Sequence, residues 1–321
     1  MSLITQFRLL TINARLCSFN NLTTLINVHL LRQYATPTAT KKDVELSYTT
    51  YPDHEHNIDP KKRSLIFLHG LFGAKGNLHS VSKHISGEGR KVVTYDARNH
   101  GESQHDPEMN YNCMADDLDG LIQDLNLNKP VVMGHSMGGK TAMTFALSKP
   151  DRLTALIVVD VTPAKSDVSE LLKYAEAMKK VEIPSGISIA QVRKEIQVQL
   201  SSVVQNRAVL QFLLTNLREF DGVVIKWRMN IDGILNNFSH IEEFPRMNSD
   251  PFMKPTLFVF GANSLHYRYS SHKNNFSIKK LFPNVEITAI KEAGHFVHAE
   301  KPLEFVNIVK KFLDSVDKSS S

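Results

Sequence analysis

A chain of 321 residues, 42% hydrophobic and 22% charged, has an ordinary globular composition and the length for one large α/β domain or two small ones. No apolar run approaches the roughly 18 residues that a membrane-spanning helix needs. The net charge of +5 does not point to nucleic acid: residues 1–42 hold five Lys/Arg and no Asp or Glu, and the rest of the chain balances 33 basic against 33 acidic residues, with no basic stripe interleaved with aromatics.

Residues 1–34 read as a mitochondrial presequence. They carry Arg8, Arg15 and Arg32, no acidic residue, many Ser, Thr and Asn, and Leu and Ile spaced for an amphipathic helix. Arg8, Asn13 and Arg15 interrupt any stretch that could serve as a secretory signal, and Arg32-Gln33-Tyr34-Ala35 resembles a matrix-peptidase site. Removing this segment takes Cys17 with it and leaves Cys113 alone, so no intramolecular disulfide is expected, in agreement with a reducing compartment.

From residue 35 onward, short apolar runs alternate with helical-period segments, which predicts a mostly parallel sheet covered by helices on both faces. Asp43–Tyr51 alternates apolar and polar residues and reads as an outer antiparallel strand. The other strands are Ser64–His69, Lys91–Asp96, Pro130–Gly134, Leu153–Asp160, Pro255–Gly261 and Val285–Ile290. Helices are expected near 76–86, 110–125, 138–148, 270–282 and 301–316, the last with Pro302 in its first turn.

Residues 163–250 break the alternation. No convincing strand is found there, only helical patterns: Leu171, Tyr174, Ala175, Met178 and Val181 repeat at helical spacing, and further helices are expected near 188–204 and 206–219. An all-helical insertion between two strands reads as a lid. The resulting organisation is a core in two parts, 35–162 and 251–321, with the lid between them.

Gly134-His135-Ser136-Met137-Gly138 is a G-x-S-x-G motif between a strand and a helix. That context lifts a serine hydroxyl out of a sharp turn at a helix N-terminus, where developing negative charge is favoured. Ser136 is the candidate nucleophile. Gly294-His295-Phe296, between the last strand and the last helix, makes His295 the candidate base. His298 forms an H-x-x-H with it, but no third ligand is evident, so no zinc site is expected. The backbone N–H groups of Met137 and of Leu71, in His69-Gly70-Leu71-Phe72-Gly73, are the candidate oxyanion donors. In Asp96–Ser103 (DARNHGES), the Asp and Arg are expected to brace loops. No metal or organic cofactor is required.

The acid is left open. Its usual place follows the strand Pro255–Gly261, yet Gly261-Ala262-Asn263-Ser264-Leu265-His266 has no carboxylate, and Asn263 occupies the expected position. Asp160 ends the strand after the nucleophile, and a right-handed crossover places those strands side by side, about 4.8 Å apart. Asp232, inside the lid, is the runner-up.

With these residues in view, the chain resembles the α/β-hydrolase domain-containing protein 11 family. The marks are Gly134–Met143 (GHSMGGKTAM), Asp96–Ser103, Leu200–Val203 (LSSV) and Gln211–Leu217 (QFLLTNL), the last two in the lid. The resemblance extends to bacterial acyl-ester hydrolases that carry their acid after the strand following the nucleophile, which favours Asp160. It implies an α/β-hydrolase fold and hydrolysis of acyl-lipid esters, with diacylglycerol lipase activity. It also implies a mitochondrial matrix location and association with the 2-oxoglutarate dehydrogenase complex. The residues themselves leave thioester or amide cleavage by the same triad open, as well as a hydrolase-fold binding protein.

Overall fold

A computed structural model describes residues 44–319 apart from 53–56, 88, 223, 247–248 and 270–274. The presequence read at 1–34 and part of the helix expected at 270–282 lie outside the described residues.

Runs rich in Val, Ile, Leu, Thr, Tyr and Phe become strands because branched and aromatic side chains pack well on a pleated surface. In the first part of the core these are β1 (Tyr48–Tyr51), β2 (Leu65–Leu68), β3 (Val92–Tyr95), β4 (Val131–His135) and β5 (Ala155–Val159). Between them lie α1 (His79–Ser86), α2 (Tyr111–Asp124) and α3 (Met137–Ser148). Asn110 starts α2 as an N-cap, its side chain accepting from the N–H groups of Asn112 and Cys113.

The inserted segment holds α4 (Ser169–Lys180), α5 (Ile189–Leu200), α6 (Arg207–Leu214), β6 (Leu217–Phe220), β7 (Val224–Trp227), α7 (Ile231–Asn236) and α8 (Phe238–Glu242). The chain then returns through β8 (Thr256–Gly261), α9 (Leu265–Tyr269), α10 (Asn275–Leu281), β9 (Val285–Ile290), α11 (Val297–Glu300) and α12 (Pro302–Ser319).

The main sheet runs β1-β3-β2-β4-β5-β8-β9. β1 is antiparallel to β3 and the other neighbouring pairs are parallel. Successive strand residues point to opposite faces, so each strand feeds two cores. Leu65, Phe67, Met133 and Ile157 pack with Val81 and Ile85 of α1 and Phe305, Val309 and Leu313 of α12. Ile66, Leu68, Val132, Val158 and Phe258 pack with Met114 and Leu118 of α2, Phe145 of α3 and apolar residues of the insertion. Each fully buried side chain of this size contributes roughly 1.5–3 kcal/mol of transfer free energy.

The insertion is not all helical. β6 and β7 form an antiparallel ribbon, Leu217 opposite Trp227 and Phe220 opposite Val224, and the helix expected at 206–219 stops at Leu214. The overlooked signal is Asp221-Gly222, a dipeptide suited to hairpin turns, with both residues at positive φ (52° and 71°). Four-residue strands are too short to register a period of two against the surrounding helical pattern. The ribbon is tied to α4 by the Trp227 indole, which donates to the carbonyl of Met178 at 3.0 Å.

Asparagines stitch the insertion to core loops. The buried Asn216 amide donates to the carbonyl of Phe72 at 2.8 Å. Asn230 donates to the side-chain oxygen of Asn99 at 3.0 Å, and Asn237 donates to the carbonyl of Pro107 at 2.8 Å.

Candidate active site

β4 and β5 are neighbours with His135 opposite Val159, so the next residues of each, Ser136 and Asp160, leave the sheet at the same edge. The Ser136 N–H still donates to the Val159 carbonyl at 3.0 Å, and the Asp160 N–H to that of Val259 at 2.9 Å. Both residues then turn sharply, at φ +53° and +50°. Such backbone conformations cost of order 1–3 kcal/mol in a residue with a side chain and persist where the surroundings over-determine them. At the elbow the surroundings are close backbone: a Cβ on Gly134 would run into the Gly138 carbonyl, and one on Gly138 would lie 2.6 Å from the carbonyl oxygen of His69. α3 starts at the residue after the serine.

Asp160 is fully buried, and its carboxylate is held from three sides. Oδ1 accepts the Gly261 N–H at 2.9 Å. Oδ2 accepts the Ser264 hydroxyl at 2.6 Å and the Nδ1–H of His295 at 2.7 Å. A carboxylate that only accepts fixes the proton on Nδ1 and leaves the Nε2 lone pair free. The loop carrying His295 is pinned by the His135 ring, whose Nε2 donates to the His295 carbonyl at 2.9 Å. Burial, reinforced by neighbouring His295 and His298, holds the His135 imidazole well below its usual range, so it is a neutral strut.

The candidate oxyanion donors converge on the same place. Leu71 and Met137 line one cavity of about 400 Å³ with Ser136 and His295. Among the described residues neither amide N–H is spent on another protein group. The Leu71 loop is held by two buried histidines. His69 donates from Nδ1 to the Gly70 carbonyl at 2.8 Å and accepts the Ala97 N–H on Nε2 at 3.0 Å. His100 donates from Nδ1 to the Arg98 carbonyl at 3.0 Å and accepts the Phe72 N–H on Nε2 at 3.2 Å. Protonating either Nε2 would set N–H against N–H. Burial lowers His69 and pushes His100 down to about 3.

Asp96 and Arg98 brace loops, as expected. Asp96 takes the Lys75 ammonium at 2.9 Å and the Glu102 N–H at 2.9 Å. Arg98 makes a two-pronged pair with Asp117, both contacts at 2.7 Å. Asp232 is not brought to the site: it sits on the surface of the insertion, paired at 2.6 Å with Lys179, both side chains more than half exposed. Asn263 lines the cavity with an exposed side chain. His298 packs edge-on against Phe67 and Phe305 and lies 4.7 Å from the His135 ring; burial pushes it down to about 4.

Three residues escaped the sequence reading. Ser264 stands one residue beyond Asn263, in a loop searched only for a carboxylate. His266 lines the cavity with its ring 5.3 Å from that of His295; burial, then the nearby His295, pushes it down to about 4. Lys140, one turn after Ser136, is buried and donates to the carbonyls of Glu242 at 2.8 Å and Glu243 at 3.2 Å, and burial pushes it down to about 8. A lone Lys amid the small and apolar residues of α3 was its signal.

A hydroxyl at a strand-to-helix elbow, a carboxylate-held imidazole and two unspent amides around one cavity are the groups that hydrolysis through a serine calls for. Residues 63–302 match the family described as the alpha/beta hydrolase fold. The chain is 44% identical over 252 residues to the sn-1-specific diacylglycerol lipase ABHD11 of Mus musculus, covering 78% of this chain and 80% of that protein. It is 30% identical over 261 residues to esterase YbfF of Escherichia coli (strain K12), covering 81% and 95%. A solved structure titled "Marine microorganism esterase" superposes with a TM-score of 0.75 at 35% identity, covering 84% and 99%. The chain belongs to the α/β-hydrolase family and, within it, to the group of α/β-hydrolase domain-containing protein 11. It is a carboxylic ester hydrolase. Among the described residues no helix is long and apolar enough to cross a membrane.

Proposed function

We propose that the chain cleaves acyl esters of glycerolipids, diacylglycerol above all, through an acyl-enzyme on Ser136. The observation that carries this reading is the 2.7 Å contact between Asp160 and the Nδ1 of His295, which leaves Nε2 unspent in a ring that lines the same cavity as Ser136. His295 Nε2 takes the Ser136 proton as Oγ attacks the ester carbonyl. The Leu71 and Met137 amides hold the oxyanion, and His295⁺ gives the proton to the departing alcohol. Water, activated by the same base, releases the acid.

The lipid assignment draws on the name of the mouse relative and on the cavity wall, where Leu171, Tyr174, Val209 and Phe212 of the insertion meet Phe72 and Phe296 of the core. Fluorophosphonate labelling of the wild type and not of Ser136→Ala tests the nucleophile. Turnover compared across diacylglycerols, monoacylglycerols, phospholipids and acyl-thioesters tests the substrate, and preference for thioesters would replace it. We also read residues 1–34 as directing the chain to the mitochondrial matrix, on their acid-free, Arg-bearing composition. Fusing residues 1–42 to a fluorescent protein tests that; a diffuse signal would refute it.

A further inference from the structure

His266 has no task in the acyl-transfer steps, yet it faces the group on which they depend. Its backbone N–H is fixed on the Ser264 hydroxyl at 3.1 Å. Among the described residues neither of its ring nitrogens makes a hydrogen bond. The ring is tilted 35° to that of His295 at a centroid separation of 5.3 Å. One nitrogen of each ring and one oxygen of Asp160 lie within 4.8 Å of one another.

Two imidazoles and a carboxylate are a familiar donor set for a borderline-soft cation. Zinc holds such atoms at about 2.0–2.2 Å in a tetrahedron, so its donors stand roughly 3.3–3.5 Å apart. The side between His295 Nδ1 and Asp160, 2.7 Å in the structure, must open by about half an ångström, a rotation of the His266 ring brings its nitrogen in, and water serves as fourth ligand. Magnesium and calcium prefer all-oxygen shells and gain little from imidazole. The H-x-x-H pair of His295 and His298 is a different matter, since His298 is packed beneath His135, Phe67 and Phe305.

We propose that His266, His295 and Asp160 form a reversible inhibitory site for a zinc-like divalent transition-metal ion. A neutral imidazole has one lone pair free to accept a proton. The nitrogen of His295 that faces Asp160 is Nδ1, 2.7 Å from Oδ2. An ion there moves the single ring proton from Nδ1 to Nε2, so no lone pair is left toward Ser136 and His295 cannot deprotonate it. Apart from this tautomeric shift no covalent bond is made or broken, and a chelator restores the enzyme. The inhibition rests on the proposed role of His295 as base; the binding of the ion does not.

The test separates the two. Isothermal titration of the inert Ser136→Ala protein with Zn²⁺ is expected to show one site, weakened roughly 10–100-fold when His266→Ala or His266→Gln is added, at least the loss typical of changes around a metal ligand. Co²⁺ bound to Ser136→Ala should give a tetrahedral visible spectrum that the His266 variants lack. In the active enzyme, Zn²⁺ should abolish turnover of a short-chain p-nitrophenyl ester, with full recovery on adding EDTA and no effect of Mg²⁺ or Ca²⁺. His266→Ala should need roughly 10–100-fold more Zn²⁺ for half-inhibition of its own zinc-free turnover. Equal zinc sensitivity of wild type and both His266 variants would overturn the proposal, as would a Ser136→Ala titration without a one-to-one site. A protein that hydrolyses no ester yet binds zinc through His266 would instead refute the function proposed above.

Discussion

The turn after β5 and the loop after β8 stand side by side at one sheet edge and divide a single task. The first supplies the charge, Asp160, on a strand whose register with the nucleophile strand is locked residue by residue. The second supplies neutral donors, the Gly261 N–H and the Ser264 hydroxyl, and no carboxylate. A buried charge needs both a rigid mount and partners for its lone pairs. Here the mount and the partners come from different strands about a hundred residues apart in sequence.

Removing the group that this pair of loops serves has the largest expected effect. Ser136→Ala should lower kcat on the order of 10⁶-fold without unfolding the chain, read by turnover and melting temperature together. Substituting the charge comes next: Asp160→Asn should cost ~10⁴ in kcat, and an activity within tenfold of wild type would move the acid elsewhere.

The histidines around both loops set a pH limit. His69, His100, His135, His266 and His298 are all held below the ordinary value of 6.5 by burial. The unfolded chain takes up protons below about pH 6.5 that the folded chain refuses, at His266 and His298 until about pH 4 and at His100 until about 3. Stability is therefore full above pH 6.5 and declines as pH falls, by up to about 1.4 kcal/mol per pH unit for each ring. Urea midpoints at pH 7.0 and 5.5 should differ clearly, over a range where most carboxylates stay ionised; equal midpoints would mean the rings are charged in the fold.

Ser264→Ala isolates the neutral loop. It removes one of three hydrogen bonds to the Asp160 carboxylate, worth roughly 1.5–3 kcal/mol for a charged acceptor, so kcat should fall about 10–100-fold. No change would make that loop a bystander. The smallest effect belongs to Asp232→Asn: loss of an exposed pair with Lys179 should alter stability by less than about 1 kcal/mol and turnover by less than about twofold. A large loss of turnover would return Asp232 to the candidates for the acid.

The sheet was legible because each parallel strand is a short apolar run bounded by turn residues, and β9 occupies the predicted span, Val285–Ile290. The predicted outer strand Asp43–Tyr51 starts five residues before β1, and Pro130–Gly134 stops one residue short of the end of β4. The other spans exceed their strands by one or two residues at an end, since the flanking turn residues mark a strand's neighbourhood and not its last ladder bond. The contact of Asp160 with His295 could be reasoned out because a crossover rule converts chain order into spatial order. The ribbon β6–β7 could not, its strands being too short for periodicity to speak. Ser264, His266 and Lys140 stayed hidden for another reason. Their partners lie on segments 29 to about 100 residues distant, and nothing in local spacing announces such meetings.

One side-chain amide carries a mechanical consequence. Asn216, in the turn between α6 and the ribbon, grips the carbonyl of Phe72, one residue along from the Leu71 amide at the cavity wall. Moving that turn by more than the reach of a hydrogen bond must either break this grip or drag the Phe72 peptide with it. The turn and the loop that carries Leu71 are thereby linked mechanically through a single amide.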